Sequence, residues 1–230
     1  MGGTLVIFDC DGVLVDSEPL AARVLAEEVR GLGIAMDDNE AAEIFLGCSM
    51  PMVLDILEAR LGAPVETGFL PRFLDRLHAG IRVDLAPVDG VRAAIAQIKT
   101  QAQVRAICVA SNGEAETVLT SLEAVGLISD FAGRLYTARM VERAKPYPDL
   151  FLHAARDMGF EPADCIVVED SSLGVEAAIA AKMRVFRYVP NAEPDILCDH
   201  VNSAAGAKNF INMNQLPKLI AAVCSDQCNQ

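Results

Sequence analysis

The chain has 230 residues, 52% hydrophobic and 22% charged, with 19 Lys and Arg against 32 Asp and Glu for a net charge of −13. That is ordinary globular material for one generous domain or two modest ones, and it excludes a disordered chain. The acidic balance, with no basic block, argues against nucleic acid and against an anionic membrane, since both need clustered Lys and Arg.

No apolar run reaches the 18 or so residues of a membrane helix. The opening "MGGTLVIFDC" has neither a charged n-region nor a cleavage site, and position 6 lacks the Ser or Thr that N-myristoylation prefers, so neither processing is expected. The cysteines are Cys10, Cys48, Cys108, Cys165, Cys198, Cys224 and Cys228. Their odd number, irregular spacing and placement inside apolar runs read as buried thiols in a reducing, cytoplasmic compartment rather than a disulfide framework. The final "CSDQC" has no second pair or nearby histidine to complete a zinc site, so it reads as a polar tail.

In chain order, Leu5-Val6-Ile7-Phe8 is a buried strand that runs into Asp9 and Asp11. Residues 17–82 read as helical throughout. "PLAARVLAEEVRGLG" places Leu20, Val24, Leu25, Val29 and Leu32 on one face, and Gly33 is a stop signal. "PMVLDILEARLG" starts at Pro51 and aligns Val53, Leu57 and Leu61, and "PRFLDRLHAGI" supplies a further helix. From about Val83 the pattern alternates. "DGVRAAIAQIKT", "GEAETVLTSLEAVGL", "PDLFLHAARDMG" and "GVEAAIAAKM" read as helices. "VRAICVAS", a weaker run near Arg134–Tyr136, "CIVVED" and a last strand "RVFRYV" lie between and after them. Alternation of this kind predicts an α/β fold, a doubly wound parallel sheet covered on both faces. The expected division is a core of residues 1–16 and 83–230, with 17–82 inserted as a helical domain.

Parallel sheets bind ligands at the carboxyl ends of their strands. The polar residues fall there: Asp9 and Asp11 after the first strand, Ser111-Asn112-Gly113 after the "AICVA" strand, and Glu169-Asp170-Ser171-Ser172 after "CIVV". Lys145 lies in the proline-stiffened "AKPYPD". In an extended chain Asp9 and Asp11 would point the same way, and two acids sharing a small space need something positive between them. Carboxylates at this density suit a hard cation such as Mg²⁺, the lack of a His/Cys cluster disfavours zinc, and no P-loop sequence is present. Taken singly, Asp11-Gly12 is an ordinary turn dipeptide, Ser111 a helix cap and Lys145 a surface lysine. Their conjunction at one sheet edge favours function.

These residues resemble the motifs of the haloacid dehalogenase superfamily. They stand in the family's order as "DCDGVLVDS" (Asp9 to Ser17), "VASNG" (Val109 to Gly113), "KPYPD" (Lys145 to Asp149) and "VVEDSSLG" (Val167 to Gly174). The resemblance spans nearly the whole chain and is greatest to the branch with a helical cap inserted after the first strand, which holds sugar phosphatases and β-phosphoglucomutase. It implies a Rossmann-like core with the first strand central. It also implies Asp9 as a nucleophile that becomes an aspartyl-phosphate and Asp11 as acid and base. Mg²⁺ would sit on Asp9, the Asp11 main-chain carbonyl and Asp170, with Glu169 in support. The phosphoryl oxygens would be held by Ser111, Lys145 and the amide groups of Asn112 and Gly113. The cap turn "FLGCSM" either brings Gly47, Cys48 and Ser49 to the leaving group or is only a connection between helices.

The implied activity is hydrolysis of a small phosphorylated metabolite, a sugar or sugar acid of the 6-phosphogluconate or phosphoglycolate type. No nucleic-acid or membrane partner is implied; a monomer is expected, with a homodimer as the alternative. A mutase of the branch would carry a histidine where this chain has Ala21 and an arginine where it has Met50. A thioether cannot grip a phosphate dianion as a guanidinium does. Both departures favour net hydrolysis. A non-catalytic phosphometabolite binder is the third reading, and two acids facing an anion speak against it.

Overall fold

Leu5, Val6, Ile7 and Phe8 have no exposed surface, because the strand they form, β1 (Thr4–Phe8), is flanked on both edges by other strands. The structure, a computed structural model, describes residues 3–45, 50–190 and 206–227. Among the described residues, six parallel strands make the main sheet. With β4 (Val104–Ser111), β5 (Leu135–Thr137), β6 (Cys165–Glu169), β7 (Arg184–Tyr188) and β8 (Ala207–Phe210), their order is β5-β4-β1-β6-β7-β8. Continuous burial along β1 and β6 is the mark of strands covered on both faces.

On one face Leu5, Ile7, Cys108, Cys165 and Val167 pack with Leu150, Phe151 and Ala154 of α8 (Asp149–Asp157) and with Ala177 and Ala178 of α9 (Ser172–Ala180). Helix α5 (Val91–Lys99) buries Val91, Ala94, Ile95 and Ile98, the stripe its spacing predicts. Helices α6 (Ala115–Ala124) and α7 (Ile128–Phe131) follow β4, and Phe131 meets Phe8 edge-on at 5.9 Å.

The chain divides into two compact units, Met1–Val15 with Pro87–Gln230, and Asp16–Ala86. The second unit holds α1 (Glu18–Gly31), α2 (Asp38–Phe45), α3 (Met50–Leu61) and α4 (Phe69–Asp84). Its core is Leu20, Val24, Leu25, Val29, Val53, Leu57, Phe69 and Phe73 among others. One acid is drawn into that core. The Glu28 carboxylate is 6% exposed and accepts from Arg76 Nη1 at 2.8 Å and Arg72 Nε at 3.2 Å, which compensates its burial. The two-residue strands β2 (Val15–Asp16) and β3 (Ala86–Pro87) pair as a small sheet.

Two expectations need correction. "RVFRYV" does not end the sheet: β8 pairs beyond β7, with Val185 opposite Ala207 and Tyr188 opposite Phe210. Nor is Cys224 in a polar tail. It is buried on α10 (Leu216–Gln227), with its sulfur 3.3 Å from the Thr4 hydroxyl at the start of β1. Cys10, Cys108, Cys165 and Cys224 are free and buried, and burial pushes the Cys165 thiol up to about 12. No helix among the described residues is long and apolar enough to cross a membrane.

Candidate active site

Parallel pairing carries the carboxyl ends of β1, β4 and β6 to one edge of the sheet. The Asp9 N–H still donates to Val168 O at 2.9 Å, extending the ladder by one bond. After that the chain coils, and Cys10 O accepts from the N–H groups of Val13, Leu14 and Val15. A turn therefore opens at Cys10, between Asp9 and Asp11. Asp9 is buried and Asp11 exposed.

Lys145 sits between acids rather than at the surface. Its Nζ donates to Asp9 Oδ1 at 2.7 Å and to Glu169 Oε1 at 2.6 Å, and its side chain is 3% exposed. The ammonium also lies 4.9 Å from the centroid of the Phe151 ring, a favourable placement of charge on an aromatic face. The other Glu169 oxygen accepts from Asp170 N at 3.0 Å and from Ser171 N and Oγ, both at 2.9 Å. Ser171 Oγ in turn accepts from Gly174 N at 3.0 Å and caps α9.

Asp170 is fixed through its main chain, whose oxygen accepts from Arg187 Nε at 2.9 Å. Its carboxylate lies against the turn after β1: a Cβ at Gly12, where φ is +72°, would fall 2.0 Å from Asp170 Oδ2. Ser111 is buried and its Oγ accepts from Gly113 N at 3.0 Å. A Cβ on Gly113 would stand 3.3 Å from that Oγ and 3.9 Å from Asp11 Oδ2, so hydroxyl and carboxylate lie beside the same backbone.

Gly174 carries a prediction whose sign runs against helix propensity. Glycine to alanine in a first helical turn ordinarily gains up to about 1 kcal/mol. Here the new Cβ would fall 1.7 Å from Glu169 Oε1, an atom of a fully buried carboxylate bound on both oxygens. Overpacking against such a group costs about 1–3 kcal/mol. Gly174→Ala is expected to lower the melting temperature by several degrees in calorimetry, and an increase would contradict the packing described.

Among the described residues, Asp9, Glu169 and Asp170 offer carboxylate oxygens within 4.8 Å of one another. Burial pushes the Asp9 carboxyl up to about 8; Lys145 opposes this, while Glu169 and Asp11 add to it. For Lys145, burial works against the charge, but Asp9 and Glu169 outweigh it and raise its pKa. One buried ammonium among these acids leaves an excess of negative charge on oxygen donors, which fits a hard divalent cation.

A pH dependence follows. With its folded pKa raised from 3.8 to about 8, Asp9 favours the fold fully below about 3.8, and that contribution is lost as pH rises through about 8. Added Mg²⁺ should offset the loss where Asp9 is ionised. In EDTA-treated protein the expected Mg²⁺-induced rise in melting temperature is several degrees at pH 8 and near zero at pH 5. Equal shifts at both values would contradict it.

Of the residues singled out from the sequence, Asp9, Asp11, Ser111, Asn112, Gly113, Lys145, Glu169 and Asp170 all belong to this one unit, at or beside this edge. Gly47 and Ser49, like Cys48, lie outside the described residues. The sequence places Ser171 among the polar residues after "CIVV" without a role of its own, and does not single out Phe151, Gly174 or Arg187. Ser171 stands next to the second acid pair, and that adjacency was the available signal; the others are brought in by tertiary packing alone.

Residues 4–182 match the family of haloacid dehalogenase-like hydrolases. The chain is 30% identical over 220 residues to the 6-phosphogluconate phosphatase of Escherichia coli K12, covering 93% of both proteins. It is 31% identical over 193 residues to hexitol phosphatase B of the same organism, covering 82% of this chain and 85% of that one. In three dimensions it is similar to a haloacid dehalogenase family hydrolase from Deinococcus radiodurans with bound phosphate and sodium, with a TM-score of 0.79, 26% identity and 96% of each chain covered. The chain belongs to the haloacid dehalogenase-like hydrolases, and its enzyme class is phosphatase.

Proposed function

We propose that this protein is a Mg²⁺-dependent phosphatase of phosphorylated sugars or sugar acids that works through a phosphorylated Asp9. The observation that carries the reading is the buried Lys145 ammonium held 2.7 Å from Asp9 and 2.6 Å from Glu169. It puts a fixed positive charge beside the carboxylate that would meet an anionic ester. Similarity to 6-phosphogluconate phosphatase and hexitol phosphatase B supports the substrate class.

In this reading an Asp9 oxygen attacks phosphorus in line, and the P–O bond to the sugar breaks. Asp11 gives its proton to the departing alkoxide. Water then attacks the phosphorus of the aspartyl-phosphate, Asp11 takes the proton back, and phosphate leaves Asp9 as a carboxylate. Ser111, whose oxygen accepts from Gly113 N, keeps its own O–H for a phosphoryl oxygen. Lys145 and the Asn112 main-chain N–H hold the others, whereas the Gly113 N–H, also expected to hold one, donates to Ser111 Oγ. Asp9, Asp170 and the Asp11 carbonyl would bind Mg²⁺, with Glu169 as support; the ion supplies charge neutralisation as negative charge moves onto the leaving oxygen. The helical unit, residues 17–82 by sequence, would serve as the cap that selects the sugar, and buried free thiols support a cytoplasmic setting.

Phosphate release from 6-phosphogluconate, hexitol phosphates, phosphoglycolate and glucose 1-phosphate at fixed Mg²⁺ tests the reading. At least one sugar phosphate should be hydrolysed with kcat/KM of about 10⁴ M⁻¹s⁻¹ or more. No release from any ester, or isomerisation of glucose 1-phosphate without free phosphate, would overturn it in favour of a binder or a mutase.

A further inference from the structure

We infer that the Asn112 side chain is a positioning residue for Lys145, clamping that residue's main chain rather than binding substrate. This rests on the phosphatase reading only for its consequence in catalysis. Asn112 Nδ2 donates to Lys145 O at 3.2 Å, and Asn112 Oδ1 accepts from Lys145 N at 3.1 Å. A single carboxamide thereby satisfies both backbone polar groups of one residue, 33 positions away in the chain. A primary amide is suited to this, because it carries a donor and an acceptor side by side in one plane.

The loop needs such a clamp. Lys145 precedes Pro146, which has no N–H to offer. Its neighbours are braced separately. Arg143 Nε and Nη2 donate to the two Asp149 oxygens at 3.1 and 3.0 Å, and the guanidinium carbon lies 4.6 Å from the Tyr147 ring centroid. Tyr147 N also donates to Ala144 O at 3.0 Å. Those contacts hold both flanks of residue 145, while Asn112 holds residue 145 itself.

A lysine has a long stem with large rotamer freedom, so where its ammonium sits depends on where its main chain is anchored. Anchored here, Nζ reaches Asp9 and Glu169 together. Asn112 follows directly on Ser111, so the turn after β4 sets both the hydroxyl and, through the carboxamide, the ammonium. Aspartate in its place would keep the acceptor for Lys145 N but set oxygen against the Lys145 carbonyl. Alanine would keep only the main-chain N–H of residue 112.

Two readouts test the clamp on the full chain. The first needs no activity. Amine acetylation in EDTA at pH 8, read by mass spectrometry, should modify Lys145 at least tenfold faster in Asn112→Ala than in the wild type, relative to the exposed Lys218, with an unchanged circular dichroism spectrum. Asn112→Asp should show the same direction and stands in if the alanine variant does not fold. An unchanged Lys145 ratio in a folded variant overturns the inference.

The second readout is a double-mutant cycle. Asn112→Ala should lower kcat about 10- to 100-fold with KM moved less than about threefold. In a Lys145→Ala background it should cost less than about twofold. A carboxamide that binds substrate directly would instead raise KM in both backgrounds, which also overturns the inference. Failure of the wild type to release phosphate would sink the phosphatase reading, while the acetylation ratio still decides the clamp.

Discussion

Asp9→Asn should abolish phosphate release, with kcat falling by about 10⁴ or more, while the metal-free protein melts no lower than the wild type. An amide oxygen is too weak a nucleophile to open the reaction, so the step is lost rather than slowed by a misplaced group. Stability moves the other way because Asp9 is an ionisable group held where ionisation is unfavourable. Its folded pKa is raised from 3.8 to about 8, chiefly by burial. Between those values the wild type is increasingly penalised relative to the asparagine variant. The expected gap in melting temperature in EDTA is near zero at pH 4 and opens in favour of the variant toward pH 8. Mg²⁺ should narrow it. Circular dichroism melts across that range check the sign, and a variant less stable at pH 8 would show that Asp9 is a structural acid.

Lys145→Met should have the second largest effect, and on both quantities in the same direction. Methionine keeps much of the stem length and removes the charge, so Asp9 and Glu169 lose the ammonium that lies 2.7 and 2.6 Å from them. Removing one partner of a buried pair costs about 3–5 kcal/mol. The raised pKa of Lys145 means its stabilising charge is present at all pH values below its ordinary 10.5, so the loss should appear at neutral pH. Activity should fall by about 10²–10³, the usual loss for one fixed charge aimed at a developing anion. Added Mg²⁺ should recover part of the stability and little of the rate. A variant as stable as the wild type in EDTA would mean that the acids are neutralised by other means.

Much of this site is legible in the sequence because burial and polarity change abruptly at its strand ends. "LVIF" and "CIVV" are apolar on every residue, so strands covered on both faces follow, and an acid directly after such a run stands out. What pairs the acids is less visible. Lys145 reads alone as a surface residue, and only the fold brings it 2.7 Å from a carboxylate 136 positions earlier. The Asn112 carboxamide bonds to main chain, which leaves no residue-type signature at its partner. Glu28 reads as a solvent-facing acid on α1 until Arg72 and Arg76 arrive from α4. Strand β8, "AKNF", is a short edge strand with only Ala207 and Phe210 buried, so its pattern is too brief to show. The turn that opens at Cys10, between Asp9 and Asp11, is likewise invisible in the alternation of side chains.

The central claim is that position 9 itself carries the phosphoryl group during turnover. Borohydride trapping during steady-state hydrolysis, followed by peptide mass spectrometry, tests this most directly, because the hydride reduces an acyl phosphate to an alcohol and expels phosphate. The account predicts homoserine at position 9, only when both sugar phosphate and Mg²⁺ are present, and none in Asp9→Asn. Steady phosphate release with an unreduced aspartate at position 9, or with the label on another acid, would contradict it.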